Sequence, residues 1–147
     1  MQVSRHYSLA EANGLLPTVQ RVFKTVRPLH ARLVAEAAKM KDDGFLPDLS
    51  GRPLRGKLPP AVAGRQRYIR QLTMAIHQLL EELTVLDITV KSAEGLVDFK
   101  SYFEGRTVYL CWRWGEEQIL TYHELDGGYR GRRVIADGRL FTGDEVH

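Results

Sequence analysis

Two long stretches of this chain repeat apolar residues at alternating steps of three and four positions. The first stripe holds Leu15, Val19, Val22, Val26, Leu29 and Leu33, and the second holds Ile69, Leu72, Ile76, Leu79, Leu83 and Leu86. This spacing keeps one apolar stripe on one side of a helix, as in a coiled-coil seam. A segment of roughly 25 residues forms a helix about 37 Å long. We therefore expect an antiparallel helical hairpin.

Local signals set the ends of the predicted helices. Ser8 and Glu11 have the spacing of a capping box, which starts a short helical turn. Asn13-Gly14 weakens that turn, and Pro17 suits the first turn of a new helix that runs to about Lys41. Glycine and proline then recur from Asp42 to about Pro60 and predict a long loop at the hairpin tip. Loops of this length are usually functional or mobile.

The pattern changes to short β-branched and aromatic runs after Leu86. These runs, at residues 88–90, 95–99, 107–114, 118–123 and 133–136, predict strands. The fold class is therefore α+β, a long antiparallel helical hairpin followed by a small antiparallel β-sheet. We expect a single domain over residues 1–147, with the hairpin at about 8–86, the sheet region at about 87–136 and a loose tail at 137–147.

Composition and charge restrict the environment and the partners of the chain. The chain has 147 residues, is 44% hydrophobic and carries a net charge of +3, which are ordinary values for a globular protein. The absence of a bilayer-length apolar run, of a signal-peptide stretch and of any cysteine besides Cys111 predicts a cytoplasmic protein that does not enter a membrane. Phe23, Val34, Met74 and Leu80 lie beside the stripes, where either the sheet or a second copy of the chain covers them. We predict a homodimer, in which two hairpins form a four-helix bundle.

Basic residues cluster in two places and raise the question of a nucleic-acid partner. Six of them, with no acidic residue among them, lie between positions 51 and 70: Arg52, Arg55, Lys57, Arg65, Arg67 and Arg70. A second group comprises Arg130, Arg132, Arg133 and Arg139. Such clusters attract phosphate backbones. Because nucleic-acid-binding domains concentrate charge more strongly and interleave aromatic residues, we favour solvated surface segments instead.

The register of the hairpin at residues 107–124 decides whether Cys111 and His123 can act together. A two-residue turn at Gly115-Glu116 pairs Trp112 with Ile119 and Val108 with His123. Side chains alternate across a sheet, so this register places Cys111 and His123 on opposite faces. It argues against a nucleophilic Cys/His pair, although a three-residue loop would reverse the argument.

Metal and anion sites are the remaining chemical candidates. His123 with Glu116 or Glu124 could supply metal ligands. However, His123 and Glu124 are neighbours in a strand and point to opposite faces, and no cysteine pair is present. The segment from Gly127 to Arg133 offers flexible backbone amides and arginine side chains for an anion, at Arg130, Arg132 and Arg133. The alternative is a glycine turn whose arginines pair with Asp98, Glu116 or Glu124. The sequence leaves the identity of any cofactor unknown.

Several of these motifs together resemble a known family. They are the segment Gly95 to Phe99, Leu110-Cys111-Trp112 with Gly115-Glu116, His123-Glu124, and Gly128 with Gly131-Arg132, besides an opening Ser8-Leu9 with Glu11-Ala12-Asn13 and Leu15-Leu16-Pro17. In this order they resemble the bacterial family catalogued as domain of unknown function 2203, with Tyr122 where a tryptophan is expected. The family has no established activity, so the resemblance implies membership and no mechanism.

The resemblance directs attention to polar residues of the sheet half. Its motif positions include Asp98, Glu116, His123, Glu124 and Arg132, and Arg113 completes our candidate polar site. The main hypothesis is a non-catalytic binding or assembly module with a polar site at the sheet end, and with a protein partner in addition to its own second copy. The alternatives are a metal-dependent or acid–base enzyme using Glu116, His123 and Glu124, a phosphate- or nucleic-acid-binding protein, or an internal ion-pair network without a ligand.

Overall fold

The computed structural model describes residues 5–144 and contains helices followed by an antiparallel sheet. The helices are α1 (Leu9–Gly14), α2 (Leu16–Asp42) and α3 (Pro60–Thr84). The strands are β1 (Ile88–Ser92), β2 (Leu96–Phe103), β3 (Arg106–Arg113), β4 (Thr121–His123), β5 (Arg133–Val134) and β6 (Phe141–Thr142). The α+β class expected from the sequence is confirmed.

The first helical boundaries follow the capping signals. The backbone N–H of Glu11 donates to Ser8 Oγ at 3.0 Å, and the backbone N–H of Ser8 donates to Glu11 Oε1 at 2.9 Å. The capping box is therefore complete. Leu15 separates α1 from α2, and Pro17 lies in the first turn of α2, where a missing N–H costs no helical hydrogen bond.

Ion pairs between α2 and α3 show that the two long helices run in opposite directions. Arg21 near the start of α2 pairs with Glu82 near the end of α3. At the other end, Arg65 of α3 lies 3.3 Å from Glu36 and 2.9 Å from Asp43. The predicted hairpin is matched in part, by the two long helices at residues 16–42 and 60–84.

The long loop between α2 and α3 lies against α3. Buried Gln66 accepts from the backbone N–H of Asp48 and donates to its carbonyl oxygen, each at 2.9 Å. Further along, Arg70 Nε donates to the carbonyl oxygen of Gly51 at 3.0 Å. These bonds hold the first half of the loop to the helix.

The sheet places its apolar face on the helices. Its strand order is β1-β2-β3-β4-β5, with β6 added to β2. Phe23 of α2 is completely buried, with its ring 6.2 Å from that of Trp112 in β3. One continuous core joins apolar residues of the helices to those of the sheet's inner face: Val97, Phe99, Val108, Leu110 and Trp112. Because side chains alternate along strands, the intervening residues form an outer face that the helices do not cover.

The segment expected to be a loose tail from residue 137 is instead part of the fold as far as residue 144. Tyr102 and Phe103 of β2 pair with Thr142 and Phe141. Phe141 is buried and stacks on Phe103 with ring centroids 4.5 Å apart. The burial of this aromatic ring explains the correction. Residues 145–147 of the predicted tail lie outside the described residues.

The register proposed for the hairpin of β3 and β4 is wrong by one residue. His123 pairs with Tyr109, and Tyr122 pairs with Leu110. The connection is a longer excursion over residues 114–120, because the backbone N–H of Ile119 donates to Asn13 Oδ1 at 2.9 Å instead of joining a two-residue turn. Cys111 and His123 consequently lie on the same face of the sheet.

The sheet covers part of the apolar surface on which the homodimer prediction was based. Phe23 is buried and Leu80 packs against the core, whereas Val34 is 55% and Met74 48% exposed. The homodimer therefore stays a prediction, with less free helical surface than expected. None of the helices within residues 5–144 combines the length and the apolar character needed to cross a membrane.

The contact between α2 and the sheet yields a stability prediction. Replacing Phe23 by Ala leaves a cavity against Trp112, so we expect the free energy of unfolding to fall by about 3–5 kcal/mol. Val34→Ala on the exposed face of the same helix should change it by less than about 0.5 kcal/mol. Urea unfolding followed by circular dichroism measures both, and equal effects would contradict this packing.

Candidate anion-binding site at the sheet end

A buried polar cluster occupies the outer face of the sheet. Asp98 of β2 pairs with Cys111 of β3, and His123 lies one strand further, in β4. Asp98 is 2% and His123 3% exposed, and His123 Nε2 lies 3.1 Å from Asp98 Oδ2. Two of the polar residues predicted from the sequence are therefore in direct contact, in a nearly sealed position.

The hydrogen bonds of His123 determine how many protons the pair with Asp98 holds. His123 Nδ1 lies 2.8 Å from the carbonyl oxygen of Glu124. A carbonyl oxygen only accepts, so Nδ1 carries a proton. The contact between His123 Nε2 and Asp98 then contains one further proton, on the imidazole or on the carboxyl group. The pair is neutral overall, and neither ring nitrogen is free for another partner.

Burial alters the acidity of two groups in this cluster. It raises the pKa of the Asp98 carboxyl, and the hydrogen bonds from His123 and Cys111 oppose this rise only in part. Burial, with the nearby Asp98 and Glu116 carboxylates, raises the pKa of the Cys111 thiol to about 12. Cys111 is therefore a protonated thiol at neutral pH, although it shares a face with His123.

Glu116 and Glu124 are engaged elsewhere. Glu116 Oε1 accepts from the backbone N–H of Arg113 at 2.8 Å. Glu124 forms an ion pair with Arg106 in which Arg106 Nε donates to Oε1 at 2.8 Å, and this lowers the pKa of Glu124. The structure does not bring these two side chains together with His123. In the described part of the chain, no group of three or more His, Cys, Asp or Glu residues could hold a metal ion.

A cavity of about 220 Å³ lies at the end of the sheet, beside the turn between β1 and β2. The backbone N–H of Trp114 donates to the carbonyl oxygen of Gly95 at 2.7 Å. A Cβ atom at Gly95 would lie 2.6 Å from Trp114 Cβ, and its φ of +114° also favours glycine. Glycine at position 95 thus allows the close approach to Trp114, and both residues line the cavity.

Two arginines from distant parts of the chain line this cavity. The guanidinium of Arg27 in α2 lies 4.7 Å from the ring centroid of Trp114. Arg113 Nη1 donates to Tyr129 Oη at 3.1 Å. Among residues 5–144, neither guanidinium has a carboxylate within 4.0 Å. Glu94 also lines the cavity without such a pair. Both arginines retain hydrogen-bond donors for an anion.

The glycine- and arginine-rich segment contributes one wall through Tyr129. The guanidinium of Arg132 stacks on the Tyr129 ring at 4.0 Å from its centroid and donates to the Tyr129 carbonyl oxygen at 3.1 Å. Arg132 therefore contacts the wall residue Tyr129 without lining the cavity itself. Arg130 and Arg133, also expected to bind an anion, are exposed and do not line the cavity.

Sequence reasoning identified Arg113 and Arg132 but missed Arg27, Trp114 and Tyr129 as cavity residues. Arg27 lies on the polar side of a helix and carries no local signal of a distant partner. Trp114 was placed inside a strand, whereas it follows the end of β3. The contact of Arg27 with Trp114 depends on how α2 packs on the sheet, which no local sequence pattern encodes.

The basic clusters are partly neutralised within the fold. Arg65 pairs with Glu36 and Asp43, and Arg139 pairs with Asp137 at 3.0 Å. Arg70 donates to a loop carbonyl. Fewer charges are thus available to a phosphate backbone than the sequence suggests.

The protonated thiol gives a prediction about reactivity. With a pKa of about 12, roughly 10⁻⁴ of Cys111 is thiolate at pH 8, against about a quarter for an ordinary cysteine. We expect iodoacetamide to alkylate Cys111 at least a hundredfold more slowly in the folded protein than in urea, as measured by mass spectrometry. Equal rates would show an accessible, activated cysteine.

The buried pair of Asp98 and His123 gives a prediction about stability. Asp98→Ala leaves His123 without its buried partner and should lower the free energy of unfolding by about 3–5 kcal/mol. Asp98→Asn keeps a hydrogen-bonding group and should cost less. Asp126→Ala, at an exposed carboxylate, is the matched control in urea unfolding. A loss for Asp98→Ala no larger than that of the control would remove the structural role of the pair.

Comparison with known proteins identifies the family and gives no activity. The profile of a family described as "Uncharacterized conserved protein (DUF2203)" matches residues 5–135. No curated protein matches the chain, and no solved structure does. The matched range covers α1–α3, β1–β4, the glycine- and arginine-rich segment and β5. The resemblance noted from the motifs is thereby confirmed, and the chain belongs to the DUF2203 family of uncharacterised conserved proteins.

Proposed function

We propose that this protein is a non-catalytic binding module whose sheet end takes an organic anion. One observation carries the proposal: Arg27 and Arg113 present guanidinium groups without carboxylate partners to a single cavity. Guanidinium groups bind carboxylates and phosphates through paired, charge-assisted hydrogen bonds. Two such groups in a cavity of about 220 Å³ favour one small anionic group as the ligand.

The aromatic neighbours of the arginines support preorganised binding. Trp114 supports Arg27 by a cation–π contact, and Tyr129 restrains Arg113 by a hydrogen bond. Holding the two side chains in place reduces the rotamer entropy lost when an anion binds. Arg132 stacks on Tyr129 and extends this support by one further residue.

The remaining walls indicate what is attached to the anionic group. Leu96 and the rings of Trp114 and Tyr129 offer apolar contact within the cavity. A second cavity, of about 580 Å³, shares Trp114 with the first and is also lined by Trp112 and Lys24. A carboxylate or phosphate ester with a flat apolar body would fit this combination of charge and aromatic surface.

The hydrogen bonding of His123 and the burial of Cys111 favour a binding function over a catalytic one. Both ring nitrogens of His123 are engaged, and the Cys111 thiol is buried and protonated. General acid–base catalysis requires a group that can reach the substrate. The metal-dependent alternative through Glu116, His123 and Glu124 would require all three side chains to leave their present hydrogen bonds.

Binding of simple aromatic anions tests the proposal. Phenyl phosphate and benzoate should bind with a change in tryptophan fluorescence, whereas benzyl alcohol should not. Arg113→Gln and Arg27→Gln should each weaken binding by about tenfold, since one charged hydrogen bond contributes roughly 1.5 kcal/mol or more.

Two variants serve as controls for the charge at the cavity. Arg55→Gln removes an exposed loop arginine outside the cavity and should leave binding unchanged. Glu94→Gln removes the negative charge at the cavity and should strengthen binding. If Arg27→Gln and Arg113→Gln bind the probes as well as Arg55→Gln does, the proposed site is wrong.

A further inference from the structure

Strand β1 forms an edge of the sheet, and neighbouring hydrogen bonds establish which of its backbone groups are free. Tyr7 donates its backbone N–H to the carbonyl oxygen of Lys100 at 2.7 Å, from the side of β2 opposite β3. In a strand, the N–H and C=O of one residue point to the same side, and successive residues alternate. The backbone groups of Lys100 and Asp98 therefore point towards the β1 side. The backbone N–H of Trp114 donates to the carbonyl oxygen of Gly95 on the β3 side. This agrees with the alternation, because Gly95 is an odd number of residues from Asp98 and Lys100.

The pairing of β1 then exposes the backbone of Ile88 and Val90. Thr89 lies opposite Asp98, so its N–H and C=O bond to β2. Ile88 and Val90 direct theirs away from the sheet. Within residues 5–144, no hydrogen bond to another element is recorded for these outward groups. They form a short template on which another strand can pair.

A groove runs along this open edge. One wall is a stripe of α3 at helical spacing, with His77, Leu80, Glu81 and Thr84. The other wall is the chain from Asp87 to Val90, and the groove has a volume of about 560 Å³. An edge strand beside a helix is the arrangement in which an extended segment adds to a sheet by β-augmentation. The opposite edge strand, β5, has only two residues.

The groove is complementary to an extended segment that carries apolar and basic side chains. Leu80 and Val90 make it apolar, and the exposed carboxylate of Glu81 and that of Asp87 make its rim acidic. The carboxylate of Asp87 accepts from the backbone N–H of Arg5 and lies 3.8 Å from Lys100 Nζ. β1 itself has the required composition, because exposed Lys91 follows Ile88 and Val90 and has no ion pair with the described residues.

We propose that the groove is occupied by β1 of a second copy of this chain. A two-fold axis at Thr89 sets Ile88 of each copy opposite Val90 of the other, in antiparallel pairing. The outward backbone groups then bond in pairs, and Lys91 of each copy stands opposite Asp87 of the other. Every contact occurs twice, as a closed dimer requires. The proposal is independent of anion binding, since residues 87–91, which form the proposed pairing, do not line the arginine cavity, and only Ser92 at the end of β1 does.

Sedimentation equilibrium from 1 to 200 µM tests the dimer. The chain should sediment at twice its monomer mass, and Lys91→Glu should raise the dissociation constant at least tenfold, because it faces two like charges in place of two ion pairs. Lys57→Glu, at an exposed loop position, is the matched control and should leave the constant unchanged. Val90→Pro removes an outward N–H while leaving the bonds of Thr89 to β2, and should also dissociate the dimer.

Amide hydrogen exchange locates the interface. The amides of Ile88 and Val90 should exchange more slowly as protein concentration rises, in the wild type and not in Lys91→Glu. A monomer at every concentration overturns the proposal, and so does a dimer in which these two amides remain unprotected. A third outcome is that the chain stays monomeric and protects these two amides only when a peptide of residues 86–93 is added. That result would show a peptide site and would overturn the assignment of the groove to a second copy.

Discussion

The packing of α2 on the inner face of the sheet is the contact on which the other features depend. Phe23 lies against Trp112, and the neighbouring valines of the same helix are buried with it. This contact fixes the distance of α2 from β3, and therefore the place at which Arg27, one turn further along the helix, meets the residue that follows β3. Because an α-helix advances about 5.4 Å per turn, a buried anchor four residues away is a stiff support for the Arg27 backbone. The cavity at the sheet end is thus a consequence of core packing.

The two faces of the sheet have different roles. The inner face is apolar and completes the core, whereas the outer face carries Asp98, Cys111 and His123 in its centre. Burying these groups costs free energy unless their hydrogen bonds are satisfied. In residues 5–144, no buried side-chain nitrogen or oxygen lacks a partner. A satisfied and neutral polar centre can order the outer strands without a second layer of helices. The motif residues Asp98 and His123 thus lie in this buried centre, whereas Arg27 and Arg113 line the cavity at the sheet end.

Sequence reasoning predicts the periodic and capped elements of this fold well. The alternation of apolar residues in α2 and α3 and the capping box at Ser8 are local patterns, and each corresponds to an element. The register of β4 was mispredicted because it depends on a contact between Ile119 and Asn13, which are far apart in sequence. A shift of one residue moves every side chain of a strand to the other face. The common face of Cys111 and His123 was therefore mispredicted.

The motif residues and the cavity residues are connected through β3. Cys111 and Arg113 are two positions apart in β3 and share the outer face, so the buried centre lies on the strand that carries the Arg113 guanidinium. Glu116 stabilises the same place by accepting from the Arg113 backbone N–H. Asp98 and Glu116 thus both contact β3 close to the cavity arginine, Asp98 opposite Cys111 and Glu116 at the Arg113 backbone. In the folded chain, the polar network and the cavity arginine Arg113 therefore meet on the same strand, β3.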